Sequence, residues 1–332
     1  MSYGAQIKFG IARQAAEGAA VSAATSYHAM PLLSEDVGFE FDELISQNLT
    51  GRFDQGASYS GTSRVNGTIE FEVTPRNIGI ALAAAVNYNP VAVTSGTALK
   101  TYTFLPNTAD FSTTAVKAPF TVYKQFADAN SAEQFYDVQF GQLELSVAQG
   151  QFLKARLTAA GGARTATGVG SLAVVPDAGD VGRLFPWNVA SVSYGGSGLS
   201  TMSEITIALN ESVTPIYAIN GSLAPLKYSR SGFREVTVNG TFYMNDRAIL
   251  NNMVAGTQQR LILTLTSTIA AIQSGYFNQL QIDIPQLKIT QFKPGVSGPG
   301  EVSVSFTGRG VLDPTSAYTV QYTLQNTYAA GY

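Results

Sequence analysis

Short stretches in which apolar and polar residues alternate recur along most of the 332-residue chain. Alternation over about four to eight residues is typical of a β-strand that buries one side and exposes the other. The clearest stretches, separated by glycine-rich breaks, lie at residues 68–73, 142–147, 235–242, 261–266, 279–284, 286–290 and 301–307. The pattern therefore predicts a mainly β fold.

Two stretches favour a helix instead. Residues 77–86 are mostly apolar, and Thr74 and Pro75 precede them as a candidate N-cap and first helical residue. Residues 248–254 form a shorter apolar stretch after an Asn-Asp dipeptide, which also favours an N-cap. We expect one short helix in each half of the chain.

The two halves repeat the same order of features, which indicates an internal duplication. The tetrapeptide Val-Asn-Gly-Thr at 65–68 recurs at 238–241, and in both places an arginine and a short apolar helix follow. The pentapeptide Gln-Leu-Glu-Leu-Ser at 142–146 likewise parallels Gln-Leu-Lys-Ile-Thr at 286–290. We therefore predict two tandem domains, each a β-sandwich or partial barrel with one short helix.

Changes in composition along the chain place the boundaries of these domains. The predicted segments are an N-terminal arm at 1–33, a first domain at 34–165, a linker at 166–185, a second domain at 186–315 and a C-terminal tail at 316–332. The first domain carries an insert at about 87–119, rich in Pro, Thr and Asn, which is expected to form a loop or hairpin. The arm and the tail are expected either to dock on neighbouring subunits or to fray.

Charged residues make up 13% of the chain, about half the usual share. Such a sparsely charged surface is expected on a protein that is largely covered by copies of itself. The net charge of −3 provides no overall positive field, which disfavours a sequence-specific nucleic-acid-binding protein.

The residue types that most catalytic and metal sites require are scarce. The chain has no cysteine and one histidine, His28, so Cys–His catalysis and zinc sites built from Cys and His are excluded. No serine lies in a Gly-x-Ser-x-Gly motif, which disfavours a serine hydrolase. We predict that the protein is not an enzyme and uses no metal or cofactor.

The longest apolar run, at residues 78–86, is far too short to span a bilayer, so we expect no membrane insertion. The Ala-rich stretch near the N-terminus contains Glu17, and we expect no signal peptide there. These two features favour assembly in a cytoplasm.

Segments from most of the chain share their order and pattern with one known family. They are the run from Glu17-Gly18 to Leu33-Ser34-Glu35, the strand at 38–42, Val-Asn-Gly-Thr-Ile-Glu-Phe-Glu-Val-Thr-Pro at 65–75, Phe-Thr-Val-Tyr-Lys at 120–124, Phe-Tyr-Asp-Val-Gln-Phe-Gly-Gln-Leu-Glu-Leu at 135–145, Glu-Ile-Thr-Ile-Ala-Leu-Asn at 204–210 and Ile-Asp-Ile-Pro-Gln-Leu-Lys-Ile at 282–289. In these segments the chain resembles the major tail tube proteins of siphophages, a group of tailed bacteriophages.

This resemblance implies a structural function in the virion tail. Copies would assemble in the host cytoplasm into rings whose inner strands join edge to edge. Stacked rings would enclose the tape-measure protein and later conduct DNA during ejection, and a tail terminator and distal tail proteins would be further partners. Six similar domains per ring would come from three duplicated chains, with a ring of six chains as the alternative.

Other interpretations compete with a tail tube subunit. A distal tail or tube-completion protein would share the same kind of β-sandwich. A secreted carbohydrate-binding β domain would expose an aromatic platform and remain a monomer. An enzyme on a β-sandwich would bring carboxylates together in a pocket.

Five carboxylates occupy the polar sides of predicted strands. Glu40 and Asp42 share one face, as do Glu70 and Glu72, and Glu144 lies on the polar face of its own strand. We predict that they line the lumen of the tube, where an acidic wall would repel phosphate and let DNA pass. An ordinary solvated sheet face is the alternative.

Two polar stretches, at 46–63 and 210–232, occupy matching places in the two halves. We expect both to project as loops or hairpins. They would either contact the next ring or remain free surface loops.

Overall fold

Twenty strands and two α-helices form in the part of the chain that the computed structural model describes. That part comprises residues 6–48, 54, 56–86, 90–95, 98–108, 119–126, 131–164, 170–174, 183–244, 247–273, 275–295, 301–329, 331 and 332. The fold is mainly β, as the alternation predicts.

The elements of the structure include a strand at each stretch that the alternation predicts, and the stretches at 279–284 and 286–290 belong to one strand. The elements of the first half are β1 (Lys8–Arg13), β2 (His28–Ala29), β3 (Ser34–Glu35), β4 (Gly38–Ile45), β5 (Ser58–Glu72), α1 (Asn77–Val86), β6 (Val93–Ser95), β7 (Leu99–Phe104), β8 (Phe120–Gln125), β9 (Ala132–Ala148) and β10 (Lys154–Arg164). Those of the second half are β11 (Ala190–Tyr194), β12 (Ser197–Gly198), β13 (Met202–Asn210), β14 (Val213–Ile216), β15 (Lys227–Arg230), β16 (Glu235–Tyr243), α2 (Ala248–Val254), β17 (Gln259–Gln273), β18 (Tyr276–Gly295), β19 (Ser303–Gly310) and β20 (Gln321–Asn326).

One antiparallel sheet runs through both halves of the chain, and we call it the long sheet. Its strand order is β4, β5, β10, β9, β13, β16, β19, β18, so each half supplies four consecutive strands. The halves meet where β9 pairs with β13, from Gln142 opposite Asn210 to Ala148 opposite Glu204. We call this pairing the internal junction.

The long strands β9 and β18 continue into a second layer of strands. The first part of β9 pairs with β8, which pairs with β1 and through it with β2. The first part of β18 pairs with β17 and with β20, and these are extended by β11 and by β7. Register shifts at Ala159 of β10 and after Ile289 of β18 accompany the passage from one layer to the other.

The apolar side of the long sheet packs against α1. All ten residues of α1 are buried, and the helix lies against β9 and β10. Ile69 and Phe71 of β5 and Leu143 and Leu145 of β9 belong to the same buried core. Burying each such side chain stabilises the fold by roughly 1.5–3 kcal/mol. The opposite side of the sheet carries polar and charged side chains, and we call it the polar side.

The N-terminus of α1 is capped as the sequence predicts. The Thr74 hydroxyl accepts a hydrogen bond from the Asn77 backbone N–H at 3.2 Å, and the Asn77 side-chain oxygen accepts one from the Thr74 N–H at 2.8 Å. This reciprocal pair satisfies two N–H groups that would otherwise lack partners. Helix α2 also spans the predicted residues, while the dipeptide expected to cap it lies outside the described residues.

The segments predicted as an arm and a tail add strands to their own chain. The arm contributes β1, and the tail contributes β20, which also pairs with β7 from the insert. Much of the predicted linker lies outside the described residues. A single cluster of buried apolar side chains includes residues from both halves, and the division into two tandem domains stays a prediction.

The helices show how the two halves correspond. Both α1 and α2 begin five residues after the preceding strand ends, so Glu72 of β5 corresponds to Tyr243 of β16. The repeated tetrapeptide would instead align Thr68 with Thr241, which is two residues away from this correspondence. A period-two pattern matches itself at every even shift, so short repeats indicate a duplication but do not set its register.

Candidate assembly surface

The five predicted carboxylates all lie on the polar side of the long sheet. Glu70 and Glu72 are on β5 and Glu144 is on β9, and their side chains are half-buried. Glu40 and Asp42 are on β4, at the margin of the sheet, and are exposed. The structure thus brings together on one surface residues from three strands that are far apart in the sequence.

Basic side chains lie next to these carboxylates on the same side. Arg156 of β10 lies opposite Glu70 on one neighbouring strand and opposite Glu144 on the other. Lys154 lies opposite Glu72. Because directly paired opposite charges attract, this part of the surface is not the uniformly acidic wall that the carboxylates alone suggest.

The second half continues the polar side with more basic side chains. It carries Lys288, Lys293 and Arg309 together with Glu204 and Glu235, and Arg309 lies 2.9 Å from Glu235. Between the charges lie uncharged polar side chains, namely Gln142, Ser146, Thr158, Thr206, Asn210, Thr237, Asn239, Thr241, Ser305 and Thr307.

One row of directly paired residues crosses seven strands of the long sheet. In order, its residues are Glu70, Arg156, Glu144, Ala208, Thr237, Arg309 and Lys288. The surface is therefore polar and carries both signs of charge.

Strand β4 and the first part of β5 form a hairpin that extends beyond the rest of the long sheet. Strand β10 pairs with β5 only from Gly67 to Glu72, whereas β4 pairs with it from Ser58 to Asn66. Phe41 alternates with Glu40 and Asp42, a pattern that favours burial, but it is 55% exposed because it belongs to this projecting part.

A second hairpin, formed by β14 and β15, lies beside the first. The Ser63 N–H donates to the Leu223 carbonyl at 2.8 Å, and the Tyr217 hydroxyl donates to the Ser63 carbonyl at 3.2 Å. The two stretches expected to project therefore meet at one end of the molecule, although residues 49–53 and 55 lie outside the described residues. The large apolar side chains exposed on or beside the two hairpins are Phe41, Leu44, Tyr59, Ile216, Ile219, Leu223, Leu226 and Phe233.

A buried cluster of charges anchors the second hairpin. The Glu211 carboxylate is buried and lies 2.9 Å from Arg230 and 2.6 Å from Arg234. The Arg230 guanidinium also donates a hydrogen bond to the Asn107 carbonyl at 2.7 Å, which connects the hairpin to the insert. An unpaired buried charge would strongly destabilise the fold. The three charged side chains therefore stay together, and they hold the base of the hairpin in place.

A cavity of about 610 Å³ lies at the internal junction, at the end of the strands opposite the hairpins. Apolar side chains form much of its lining, including Val147, Val192, Leu199 and Met202, and Trp187 lies 44% exposed beside them. One end of the molecule thus presents projecting apolar hairpins, and the other presents an apolar hollow.

The two outermost strands of the long sheet each have an unpaired edge. Among the described residues, β4 pairs only with β5, and from Lys288 to Gly295 strand β18 pairs only with β19. Unpaired N–H and C=O groups along such an edge are a template for another strand. Within the described part of the chain, the long sheet is therefore open at both margins.

The described part of the chain contains no cluster of metal ligands and no helix that could span a membrane. There, no group of three or more His, Asp or Glu side chains is placed to hold a metal ion. His28 packs against the rings of Tyr328 and Tyr332, with ring centroids 5.3 and 5.5 Å away. Burial, and to a lesser extent the charge of Arg76, lowers the pKa of His28 to about 4. Of the helices described, none is long and apolar enough to cross a membrane.

A sequence model of the family described as phage tail tube protein matches residues 4–310, which is nearly the whole chain. The chain belongs to the phage tail tube protein family. Among curated proteins, none matches the chain.

Membership of this family establishes a structural and non-enzymatic protein of the phage tail. It confirms the prediction of a tail tube protein and the prediction that the protein is not an enzyme. A tail tube protein assembles with copies of itself, so the margins and ends of this chain are its candidate contact surfaces. The family assignment gives no support to a secreted carbohydrate-binding domain.

The basic residues on the polar side of this tail tube protein were not among the predicted site residues. Lys154 and Arg156 alternate with apolar residues in the same way as the carboxylates of β5, so the same pattern would have located them. Lys288 and Lys293 gave a weaker signal, because the register shift after Ile289 interrupts the alternation between them.

Proposed function

We propose that three copies of this tail tube protein close into a ring of six similar halves, with a ring of six chains as the alternative. The observation that carries the proposal is the internal junction, where β9 of the first half pairs with β13 of the second. Strand β18 takes the place of β9 in the second half, and β4 takes the place of β13 in the first. Both are unpaired on the corresponding edges within the described residues. A head-to-tail contact that repeats this junction between copies continues the sheet and, with the right rotation, closes it.

In this ring the polar side of the long sheet faces the lumen. Helix α1 and the second layer cover the apolar side, which leaves the polar side to bound an aqueous channel. Glu40, Asp42, Glu70, Glu72 and Glu144 then line the lumen together with their basic neighbours. A polar lining of mixed charge presents no strongly positive track for phosphate, so DNA passes without being held.

The unlike ends of the subunit support stacking of the rings. A head-to-tail stack needs two different complementary surfaces, and the projecting hairpins and the apolar hollow lie at opposite ends of the strands. The resulting tube of a siphophage tail, assembled in the host cytoplasm, encloses the tape-measure protein and conducts DNA during ejection. A tail terminator and distal tail proteins bind its two ends.

The correspondence of the two halves sets the register of the contact between copies. Aligning the strands that precede α1 and α2 puts Glu40 in the place of Asn210 and Gln291 in the place of Gln142. Gln142 lies opposite Asn210 in the internal junction. Gln291 of one copy therefore lies opposite Glu40 of the next copy.

Disulfide cross-linking tests the ring, and the chain offers a clean background because it has no cysteine. A chain carrying both Glu40→Cys and Gln291→Cys is expected to give covalently linked chains on oxidation. On a non-reducing gel the largest product should contain three chains, or six in the alternative ring. Electron microscopy of the same sample should show rings.

Each single-cysteine variant is the control, because it can link no more than two chains. Products no larger than a dimer from the double variant, together with micrographs that show only monomers, would contradict the proposed ring.

A further inference from the structure

We infer that opposite charges on the two open margins select the partner strand, so that the β4 margin of one copy accepts the β18 margin of another. This inference rests on the proposed ring and names the surface that closes it. It concerns the choice of partner, which the internal junction does not have to make because the two strands belong to one chain.

The margin formed by β4 is acidic. Glu40, Asp42 and Glu43 are exposed on this strand, and Asp36 lies just before it. Hydrogen bonds from the neighbouring strand lower the pKa of Asp36, so it remains negatively charged at neutral pH. Arg64 of β5 lies 3.6 Å from Glu40 and compensates one charge, which leaves the margin net negative.

The unpaired part of β18 is basic. From residue 288 to 295 its sequence is Lys-Ile-Thr-Gln-Phe-Lys-Pro-Gly, which contains two lysines and no acidic residue. Lys288 and Lys293 are exposed and lie on the polar side, since their partners on β19 are Arg309 and Ser305. The two margins of one molecule therefore carry opposite charge on the same side of the sheet.

The register taken from the internal junction brings these charges together. Lys293 lies diagonally between Asp36 and Glu40 of the next copy. The internal junction ends at Gln142 and Asn210, which correspond to Gln291 and Glu40, and continuing the ladder past this point towards the hairpin brings Lys288 beside Asp42. Diagonal neighbours on paired strands are about 7–8 Å apart at the backbone, which is within reach of a lysine side chain. Each lysine thus meets carboxylates of the other copy.

The internal junction has no such pairs of opposite charge. Its directly opposed residues on the polar side include Gln142 with Asn210, Glu144 with Ala208 and Ser146 with Thr206. Charge complementarity is therefore confined to the contact that has to choose its partner, which is where it gives specificity.

The same charges act against wrong pairings. Two β4 margins brought together would place carboxylates opposite carboxylates, and two β18 margins would place lysines opposite lysines. Like charges directly opposite each other on paired strands are destabilising. Copies are thus directed into the head-to-tail contact that a ring requires.

Charge reversal at each margin tests the inference. Glu40→Lys with Asp42→Lys, or Lys288→Glu with Lys293→Glu, should raise the protein concentration needed for rings by roughly tenfold or more, because attractive pairs become repulsive ones. Sedimentation velocity and negative-stain electron microscopy measure ring formation. Circular dichroism checks that each variant is folded, which is expected because all four positions are exposed.

The chain with all four reversals has a basic β4 margin and an acidic β18 margin. It should form rings again at a concentration close to that of the unchanged chain. Mixing the two double variants should also give pairs that contain one copy of each variant. Neither variant alone should pair with itself, and native mass spectrometry distinguishes the mixed pairs from single chains.

Glu204→Lys with Glu235→Lys is the matched control. It makes the same charge change on the same side of the sheet but away from the margins, and Glu235 has a basic neighbour, Arg309, as Glu40 has Arg64. Ring formation by this control should need the same concentration as the unchanged chain.

The outcomes separate the inference from the proposed function. If the unchanged chain forms rings and both double variants assemble equally well, the inferred selection by charge is wrong and the proposed ring stands. An equal loss of rings in the control and the margin variants would also overturn it. Absence of rings from the unchanged chain at every concentration would instead overturn the proposed function.

Discussion

His28 belongs to an aromatic cluster that attaches the C-terminal segment to α1. Its ring packs against Tyr328 and Tyr332, and the Asn326 side-chain amide donates to the Tyr332 hydroxyl at 2.6 Å. A Cβ atom at Gly79 of α1 would lie 2.1 Å from the Tyr332 ring, so only glycine leaves room for this close approach. Burial in this cluster lowers the pKa of His28 to about 4. The imidazole therefore binds a proton less readily in the folded protein than in the unfolded chain.

We expect acid to destabilise the fold through His28. In the unfolded chain its pKa is about 6.5, so between pH ~6.5 and 4 the unfolded state binds a proton that the folded state does not. The stabilisation is fully present above pH ~6.5 and is lost as pH falls towards 4, by an amount on the order of 3 kcal/mol. Chemical unfolding at pH 7 and near pH 4.5 measures it.

The variant His28→Phe is the comparison, because it keeps an aromatic ring in the cluster and removes the titrating group. It should lose clearly less stability than the unchanged chain over the same pH range. Equal losses in the two proteins would show that His28 does not carry this pH dependence.

At the scale of elements, the two projecting hairpins are placed by contacts outside their own strands. The β14–β15 hairpin touches the β4–β5 hairpin through Tyr217 and Leu223, and the buried Glu211 cluster holds its base. Because apolar residues near its tip are exposed, the hairpin has a surface that another molecule can cover. We assign that surface to the contact between rings.

Shortening the β14–β15 hairpin should leave ring formation intact and abolish stacking. Ile216 pairs directly with Lys227, so residues 217–226 can be replaced by Asn-Gly, a two-residue turn that suits such a pair. The exposed side chains of Ile219, Leu223 and Leu226 are lost, while both margins of the long sheet remain. The length distribution of tubes in electron micrographs measures the effect.

The variant Ile219→Ser with Leu226→Ser is a milder form of the same test, because it keeps the backbone of the hairpin. It should give shorter tubes than the unchanged chain. Tubes of unchanged length from the shortened hairpin would show that the rings stack through another surface.

At the scale of the whole molecule, the long sheet combines two surfaces with different tasks. Its apolar side builds the core of the subunit, and its polar side carries charges of both signs on strands of both halves. A lumen with this lining neither attracts nor strongly repels a polyanion. In the proposed tube, we expect the passage of DNA to depend on keeping carboxylates beside the basic residues.

Removing that balance should slow the ejection of DNA and leave assembly unchanged. With Glu70→Lys and Glu144→Lys, both strand partners of Arg156 become basic, which creates a positive track across three strands. Phosphate binding to this track should slow DNA release by roughly several-fold, more at low salt. The rate of DNA release from virions that contain the variant measures the effect.

Glu70→Gln with Glu144→Gln is the matched variant without added positive charge and should slow release less. An unchanged rate in the lysine variant would contradict the assignment of the polar side to the lumen.

The amino-acid sequence by itself determined what each segment forms. Alternation located β5, β9, β16, β18 and β19 of the long sheet, and the apolar runs located α1 and α2 within the bounds that the structure shows. The same alternation placed the five carboxylates on the polar sides of their strands. These features depend on residues close together in the chain, and so local patterns are enough to predict them.

Only the tertiary structure decided which strands are neighbours and in which register. It placed Arg156 between Glu70 and Glu144, joined β20 to β7 across the chain, and left Phe41 exposed on a projecting hairpin. A period-two pattern is unchanged by a shift of two residues and does not name its partner strand. Pairing and register therefore follow from packing the core as a whole.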